Sequence, residues 1–211
     1  CLLALARYVK IRDEGDVSLF LGMEIKRMSD GGYTMSQQHY IERMAKRFNI
    51  DEAAKPVRVP IQAGKVLACP NDADKADAAK LPYQALLGCL IYCAKTRPDA
   101  AHAISDAPSD AARFMGCWGC EHFDAAMRIL RYLYNTRERC LHIRSDVVFD
   151  LYAYSDANWS DPRETSKQKD DKYKAQYGFV VSVGGCLLSW TSRRQQSRAQ
   201  SSMESEFYAA C

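Results

Sequence analysis

Residues 17–28 read VSLFLGMEIKRM, apolar and then alternating, and GGYTMSQ follows at 31–37. Period-two alternation predicts strands, and Gly31-Gly32 supplies the positive φ that a tight hairpin turn needs. In SQQHYIERMAKRF the period changes: Tyr40, Ile41, Met44 and Phe48 fall on one helical face with charges opposite. The stretch from Lys55 to Lys80 carries Pro56, Pro60 and Pro70 and then small polar residues. It predicts an extended connector and a boundary.

LPYQALLGCLIYCAKTRPDAAHAI predicts a buried helix ending before Pro98 and a second one starting after it. EHFDAAMRILRYLYNT is amphipathic, with Phe123, Ala126, Met127, Leu130 and Leu133 along one face. From about Val148 the texture turns to strands: FDLYAYSD, QYGFVVSV and CLLSWTS, the last two joined by Gly184-Gly185 in a hairpin. SSMESEFYAA opens a helix, with Ser201 and Glu204 in capping-box spacing. Order and type of elements predict an α/β protein of the α+β kind.

Composition narrows the class without settling it. The 211 residues are 47% hydrophobic and 26% charged, ordinary for a globular protein, and the formal net charge of +3 is too small to argue for nucleic acid. Nine cysteines at scattered spacings with apolar neighbours, and no basic n-region before CLLALARYVK, predict reduced thiols in an intracellular, cytoplasmic or nuclear protein that is not secreted. No segment is apolar for long enough to span a bilayer, so no membrane partner is expected. The chain opens without methionine and closes inside a helical run, and reads as a piece of something longer.

Two carboxylates stand out. Asp156 ends the strand FDLYAYSD, and Glu206 sits about one turn into the last helix. A strand-end aspartate can be a turn residue, and a helical glutamate a surface one. If that helix crosses the sheet, the two converge and can hold a divalent cation, because hard cations prefer carboxylate oxygens. Basic residues gather at Arg163, Lys167, Lys169, Lys172 and Lys174, then at Arg193, Arg194 and Arg198. They form either a solvated loop or an edge that contacts phosphates. A separate possibility is zinc: Cys117, Cys120, His122, Cys140 and His142 are ligand types at plausible spacing, which would make a binding module.

Several stretches together resemble the C-terminal part of the Pol polyprotein of copia-type LTR retrotransposons. FLGMEI (20–25) is similar to the primer-grip hairpin of the reverse transcriptase, and YTMSQQHYIERMAKRFNI to the thumb segment after it. YQALLGCLIYCAKTRPDAAHAI, RFM, His122 and RILRYL follow the family's connection, and YSDANW, GFVVSVGGCLLSW and SSMESEFYAA the start of its ribonuclease H domain. The resemblance implies the end of the palm with the thumb helix at 1–60, a linker at 61–80, a helical connection at 81–146 and the N-terminal half of a ribonuclease H-like domain at 147–211, as a truncated β-β-β-α unit.

The same resemblance implies roles. Asp156 and Glu206 would be metal and catalytic residues binding Mg²⁺, while Glu204 already has the capping position. Phe20, Gly22 and Met23 would belong to the primer grip, and Arg193, Arg194 and Arg198 to the nucleic-acid contact. Partners would be an RNA–DNA hybrid or template–primer and the remainder of the polyprotein. The parent would carry out RNA-templated DNA synthesis and Mg²⁺-dependent hydrolysis of RNA in hybrids.

The Tyr-x-Asp-Asp strand of the polymerase would precede Cys1 and the later ribonuclease H acids would follow Cys211, so the chain by itself is expected to be catalytically incomplete. A domesticated nucleic-acid-binding protein without catalysis is the alternative. The family's fourth ribonuclease H strand is also missing, which implies an open apolar edge on FDLYAYSD. The chain departs from the pattern where ISDAPSDAARFM and residues 157–176 are enlarged.

Overall fold

The computed structural model describes residues 10, 15–50, 55–62, 67, 70–105, 116–146, 148–159 and 175–211. Residues 163–174, with five of the basic residues named above, and most of the enlarged acidic stretch after Ser105 lie outside them. Among the described residues, six helices and two antiparallel sheets make a mixed α+β structure.

The first sheet has the order β1-β2-β3-β4, from Leu19–Phe20, Met23–Arg27, Tyr33–Ser36 and Leu141–Ile143. The sequence reads 17–28 as one strand, but Leu21 (φ 51°) and Gly22 (φ 78°) turn the chain there, so that β1 folds back on β2. Two consecutive positive φ angles give the turn the twist that paired strands require. The expected hairpin at Gly31 (φ 85°) joins β2 to β3. β4 comes from more than a hundred residues downstream and pairs with β3 through Met35↔Leu141 and Thr34↔His142.

The core is helical. α1 (Gln38–Arg47) buries Ile41, Met44 and Ala45, which its period places on one face. α3 (Tyr83–Cys93) buries Tyr83, Leu86, Leu87, Leu90 and Cys93. α4 (Pro98–Ser105) contributes Ala100, Ala103 and Ile104, and α5 (Cys120–Asn135) Ala126, Ile129, Leu130 and Leu133. Each fully buried leucine or isoleucine contributes about 1.5–3 kcal/mol.

Between α1 and α3 the expected linker is partly helical. Asp72–Ala78 forms α2, started by Asn71, whose side chain accepts a hydrogen bond from Asp74 N at 2.7 Å. The prolines signal extended chain up to Pro70, and the N-cap starts a helix just beyond it.

A buried charge network fastens the helices together. Arg97, 2% exposed, donates from Nε and Nη2 to both oxygens of Asp99 at 2.9 and 2.7 Å, and from Nη1 to the Thr136 carbonyl at 3.0 Å. Tyr132 and Arg139 also donate to Asp99 Oδ2, at 2.6 and 2.9 Å. Burial by itself would raise the Asp99 pKa, but these donors outweigh it and hold the carboxyl well below the usual carboxylate range.

The second sheet is a meander, β5 (Leu151–Asn158), β6 (Gln176–Val183) and β7 (Cys186–Arg194), with Gly184 and Gly185 turning the hairpin as expected. α6 (Ser202–Ala210) then lies against β5 and β6. Its start follows the predicted cap in part. Ser201 Oγ accepts from Glu204 N at 3.1 Å, while Glu204 Oε2 accepts from Gln200 N, one residue earlier than in a full capping box.

Among the described residues β5 is an edge strand paired by β6 alone, with the open apolar edge expected for FDLYAYSD: Leu151 is 64% and Tyr154 69% exposed. Among the described residues no helix is long and apolar enough to cross a membrane.

Candidate functional site

Antiparallel pairing aligns the β5-β6-β7 sheet into rows: Asn158↔Gln176↔Arg194, Asp156↔Gly178↔Ser192 and Tyr154↔Val180↔Trp190. Side chains at every second position share a face, so Tyr154, Asp156 and Asn158 look the same way. That face meets α4 across a cavity of about 570 Å³, lined by Pro98, Ala101 and His102 from the helix and by Asp156, Gly178 and Ser192 from the sheet.

Glu206 reaches the same strand by another route. Its Oε2 accepts a hydrogen bond at 3.0 Å from the backbone N–H of Ala157. Among the described residues β5 has no strand on that side, so the carboxylate occupies a position on the ladder edge. One carboxylate therefore stands on the strand's cavity face, and the other is fixed at the next residue's backbone. Asp156 is exposed, and its side chain has no hydrogen bond or ion pair with the described residues. The other glutamate of the helix, Glu204, is engaged locally, with Oε1 accepting from Tyr208 Oη at 2.9 Å.

A polar cluster closes the far side of the cavity. His102 Nδ1 lies 2.9 Å from Ser192 Oγ, and Gln176 Nε2 lies 3.2 Å from that nitrogen and 3.1 Å from the hydroxyl. Loss of water around the imidazole lowers the His102 pKa and favours its neutral form. Sequence reasoning missed these three. No motif marks them, since the side chains come from α4, β6 and β7, and only strand register brings them together.

The arginines do not form one patch. Arg193 pairs across from Tyr177 and Arg194 from Gln176, so alternation sends them to opposite faces of β7. Arg198 lies in the loop before α6 and is exposed. In the first sheet, Phe20 is 55% exposed while Met23 is buried. Gly22 sits at the turn, close to the Tyr92 hydroxyl of α3, which donates to the Leu21 carbonyl and holds the hairpin tip.

The five zinc-type residues do not converge. Cys117, Cys120 and His122 are at the start of α5, whereas Cys140 and His142 lie beyond its end, the latter in β4. The helix between them has 16 residues, about 24 Å at the usual rise, too far for a shared ion. Cys140 Sγ and His142 Nε2 lie 3.3 Å apart, but among the described residues no group of three or more His, Cys, Asp or Glu side chains is placed to hold a metal. His122 serves the helix start, its Nδ1 accepting from Gly119 N at 3.2 Å.

The fold and this acidic strand end define an α+β protein with a β-meander and helix at its C-terminal side. The chain is similar to the retrovirus-related Pol polyprotein from transposon RE1 of Arabidopsis thaliana, 32% identical over 203 residues that cover 96% of this chain and 13% of that protein. It is also similar to the retrovirus-related Pol polyprotein from transposon TNT 1-94 of Nicotiana tabacum, 35% identical over 213 residues, 98% of this chain and 15% of that protein. A putative transposon Ty5-1 protein of Saccharomyces cerevisiae is 31% identical over 191 residues, 90% of this chain and 58% of that protein. The chain belongs to the retrovirus-related Pol polyproteins of copia-type transposons. It spans 13–15% of the length of the Pol relatives it matches. No family model matches it, and no solved structure does.

Proposed function

We propose that this part of a Pol polyprotein carries the end of the reverse transcriptase and the beginning of its ribonuclease H unit. In this reading Asp156 and Glu206 are two of the acids that hold Mg²⁺ for hydrolysis of the RNA strand of an RNA–DNA hybrid. The observation that carries it is the 3.0 Å bond from Ala157 N to Glu206 Oε2, which ties the glutamate to the residue after Asp156. The donor set suits a hard cation: carboxylate oxygens, with Asp156 open to solvent. When bound, Mg²⁺ supplies an activated water and offsets the charge that develops on the phosphate.

The chain's own residues orient and bind. Asp156 offers a solvent-facing carboxylate at a fixed strand end, and Glu206 is aimed by its backbone bond. Arg193 or Arg194, on opposite faces, supplies phosphate contact from whichever side the hybrid approaches. Two carboxylates offset half of the charge on a pair of divalent cations, so the chain alone binds one ion weakly and is catalytically silent.

Isothermal titration with Mg²⁺, together with a cleavage assay on a hybrid duplex, tests this. The expected result is weak one-site binding, lost in Asp156→Asn and reduced in Glu206→Gln, with no cleavage. Ion binding unchanged by both substitutions removes the reading of the site. Robust cleavage removes the claim of silence.

A further inference from the structure

We propose that the cavity between α4 and the β5-β6-β7 sheet binds one guanine-type base, laid over Gly178 and held at its edges by Asp156 and Ser192. This goes beyond the metal reading and does not depend on it; it concerns the metal-free site, since Asp156 cannot accept two N–H groups of a base while it holds a cation. The central row of the sheet has side chains at both ends and none in the middle: Asp156, Gly178, Ser192. Adjacent strands lie about 4.8 Å apart, so the two polar ends stand roughly 10 Å from each other across a bare backbone floor. A Cβ built on Gly178 would meet one heavy atom within 4 Å, the Thr191 carbonyl oxygen at 3.2 Å. Beyond its chain neighbours, no side-chain atom of the described residues lies within 4 Å of that position. At about 570 Å³ the cavity falls within the usual range for small-molecule sites.

The neighbouring row gives the floor an aromatic border. Tyr154 and Trp190 flank Val180, and the indole is fixed by its Nε1 donating to the Ala94 carbonyl at 3.0 Å. A planar ring over Gly178 gains stacking and apolar contact from that side. The polar ends then choose the ring. Asp156 is acceptor-only when ionised, and a carboxylate is matched best by two adjacent N–H donors. Guanine presents such a pair, its ring N1–H beside its 2-amino group. Adenine and cytosine place a ring acceptor beside their amino group, and uracil flanks its single N–H with carbonyls, so each sets a lone pair against the carboxylate.

Guanine's opposite edge carries the N7 and O6 acceptors. Across the floor stands the Ser192 hydroxyl, whose oxygen accepts from Gln176 Nε2 at 3.1 Å and, with the imidazole proton on Nδ1, from His102 at 2.9 Å, which leaves its own O–H to donate to the base. Donors and acceptors are thus complementary at both ends. The same chemistry comes from a free nucleotide or from an unstacked base of a single strand.

The test is titration of the whole chain with guanosine, adenosine, cytidine and uridine 5′-monophosphates, in EDTA so that no cation takes part. The expected result is saturable binding of the guanosine nucleotide at least tenfold tighter than the other three. That preference is expected to vanish in Gly178→Val, which fills the floor, and in Asp156→Asn, an exposed position whose substitution leaves the fold intact. Glu206→Gln, outside the cavity, is expected to bind the guanosine nucleotide normally even where it weakens Mg²⁺. The metal reading can therefore fail without this one, and the reverse.

A thymine oligonucleotide carrying one guanine distinguishes the sources. Tighter binding than the free nucleotide assigns the base to a strand, and weaker binding assigns it to a nucleotide. Absence of guanine preference, or a preference that persists in Asp156→Asn, overturns the proposal.

Discussion

Glu206 and Asp156 meet at one peptide bond: the glutamate accepts from the N–H of Ala157, the residue that follows the aspartate. An edge strand leaves such N–H groups open, and here a carboxylate takes one. A divalent cation held by the two acids, as proposed, would join α6 to β5 and stabilise the folded state by mass action. At an ion concentration ten times Kd the gain is about 1.4 kcal/mol. Melting in excess Mg²⁺, against NaCl of equal ionic strength, is expected to raise Tm by a few degrees. Asp156→Asn should abolish the rise, and Glu206→Gln, which keeps an acceptor for Ala157, should reduce it without lowering the metal-free Tm.

The Arg97–Asp99 pair makes the fold acid-sensitive. Asp99 titrates near 3.9 in the unfolded chain and well below that when folded, where three donors outweigh its burial. Because the folded value is depressed, its stabilisation is fully present above the unfolded value and is lost as pH falls through and below it. Urea midpoints from pH 6 down to pH 2.5 should therefore drop steeply in the natural chain and less in Asp99→Asn. At neutral pH, Asp99→Ala leaves the Arg97 charge buried without its carboxylate, a loss of about 3–5 kcal/mol. A loss under about 1 kcal/mol would show that Arg97 is solvated in solution.

Local patterns in the chain announce its helices, α2 excepted, and its last hairpin, because both depend on residues three or four apart, or on adjacent glycines. Ile41 and Met44, Leu130 and Leu133, and Gly184-Gly185 all appear where period and turn chemistry place them. What local pattern cannot carry is pairing between distant segments. β4 shows only LHI in the sequence, and its place beside β3 is decided by helix packing in between. Nor can apolar texture say whether a strand has one neighbour or two; the open edge of β5 was legible through the family's strand order and not from its residues. The approach of Glu206 to the end of β5 was legible from the order of elements, while a metal-binding role for Asp156 and Glu206 comes from the family resemblance alone. The His102–Gln176–Ser192 cluster was not, since it exists only after register is set.

The β3–β4 pairing depends on a close approach at Gly32. A Cβ there would stand 2.7 Å from the Ile143 carbonyl oxygen, below any normal contact, and beside Asp30 Oδ1 at 3.2 Å. Gly32→Ala must therefore push the end of β4 away from β3. Overpacking of this kind costs about 1–3 kcal/mol. Hydrogen exchange should show protection lost at residues 141–143, with the helical core unaffected. Unchanged protection in the variant would mean that β4 is not held against β3 in solution.

The edge of β5 sets how the chain behaves at high concentration. Val148, Phe149, Leu151 and Tyr152 are 74%, 82%, 64% and 51% exposed beside a strand that pairs on one side only. Unpaired backbone groups flanked by apolar side chains offer a template for another chain, and natural edges are commonly blocked by lysine. Leu151→Lys removes apolar surface at an exposed position and adds a charge at the edge, so its effect on stability should stay within about 0.5 kcal/mol. Its effect on association should be large, because two such edges cannot pair without bringing the lysines together. Light scattering across a concentration series is expected to show self-association in the natural chain and a monomer in Leu151→Lys, at equal Tm. Glu206→Ala should act in the opposite sense, since it frees the Ala157 N–H and lengthens the open edge by one donor. If the natural chain stays monomeric at high concentration, or if both variants associate like it, the edge is covered in solution by something other than a second strand.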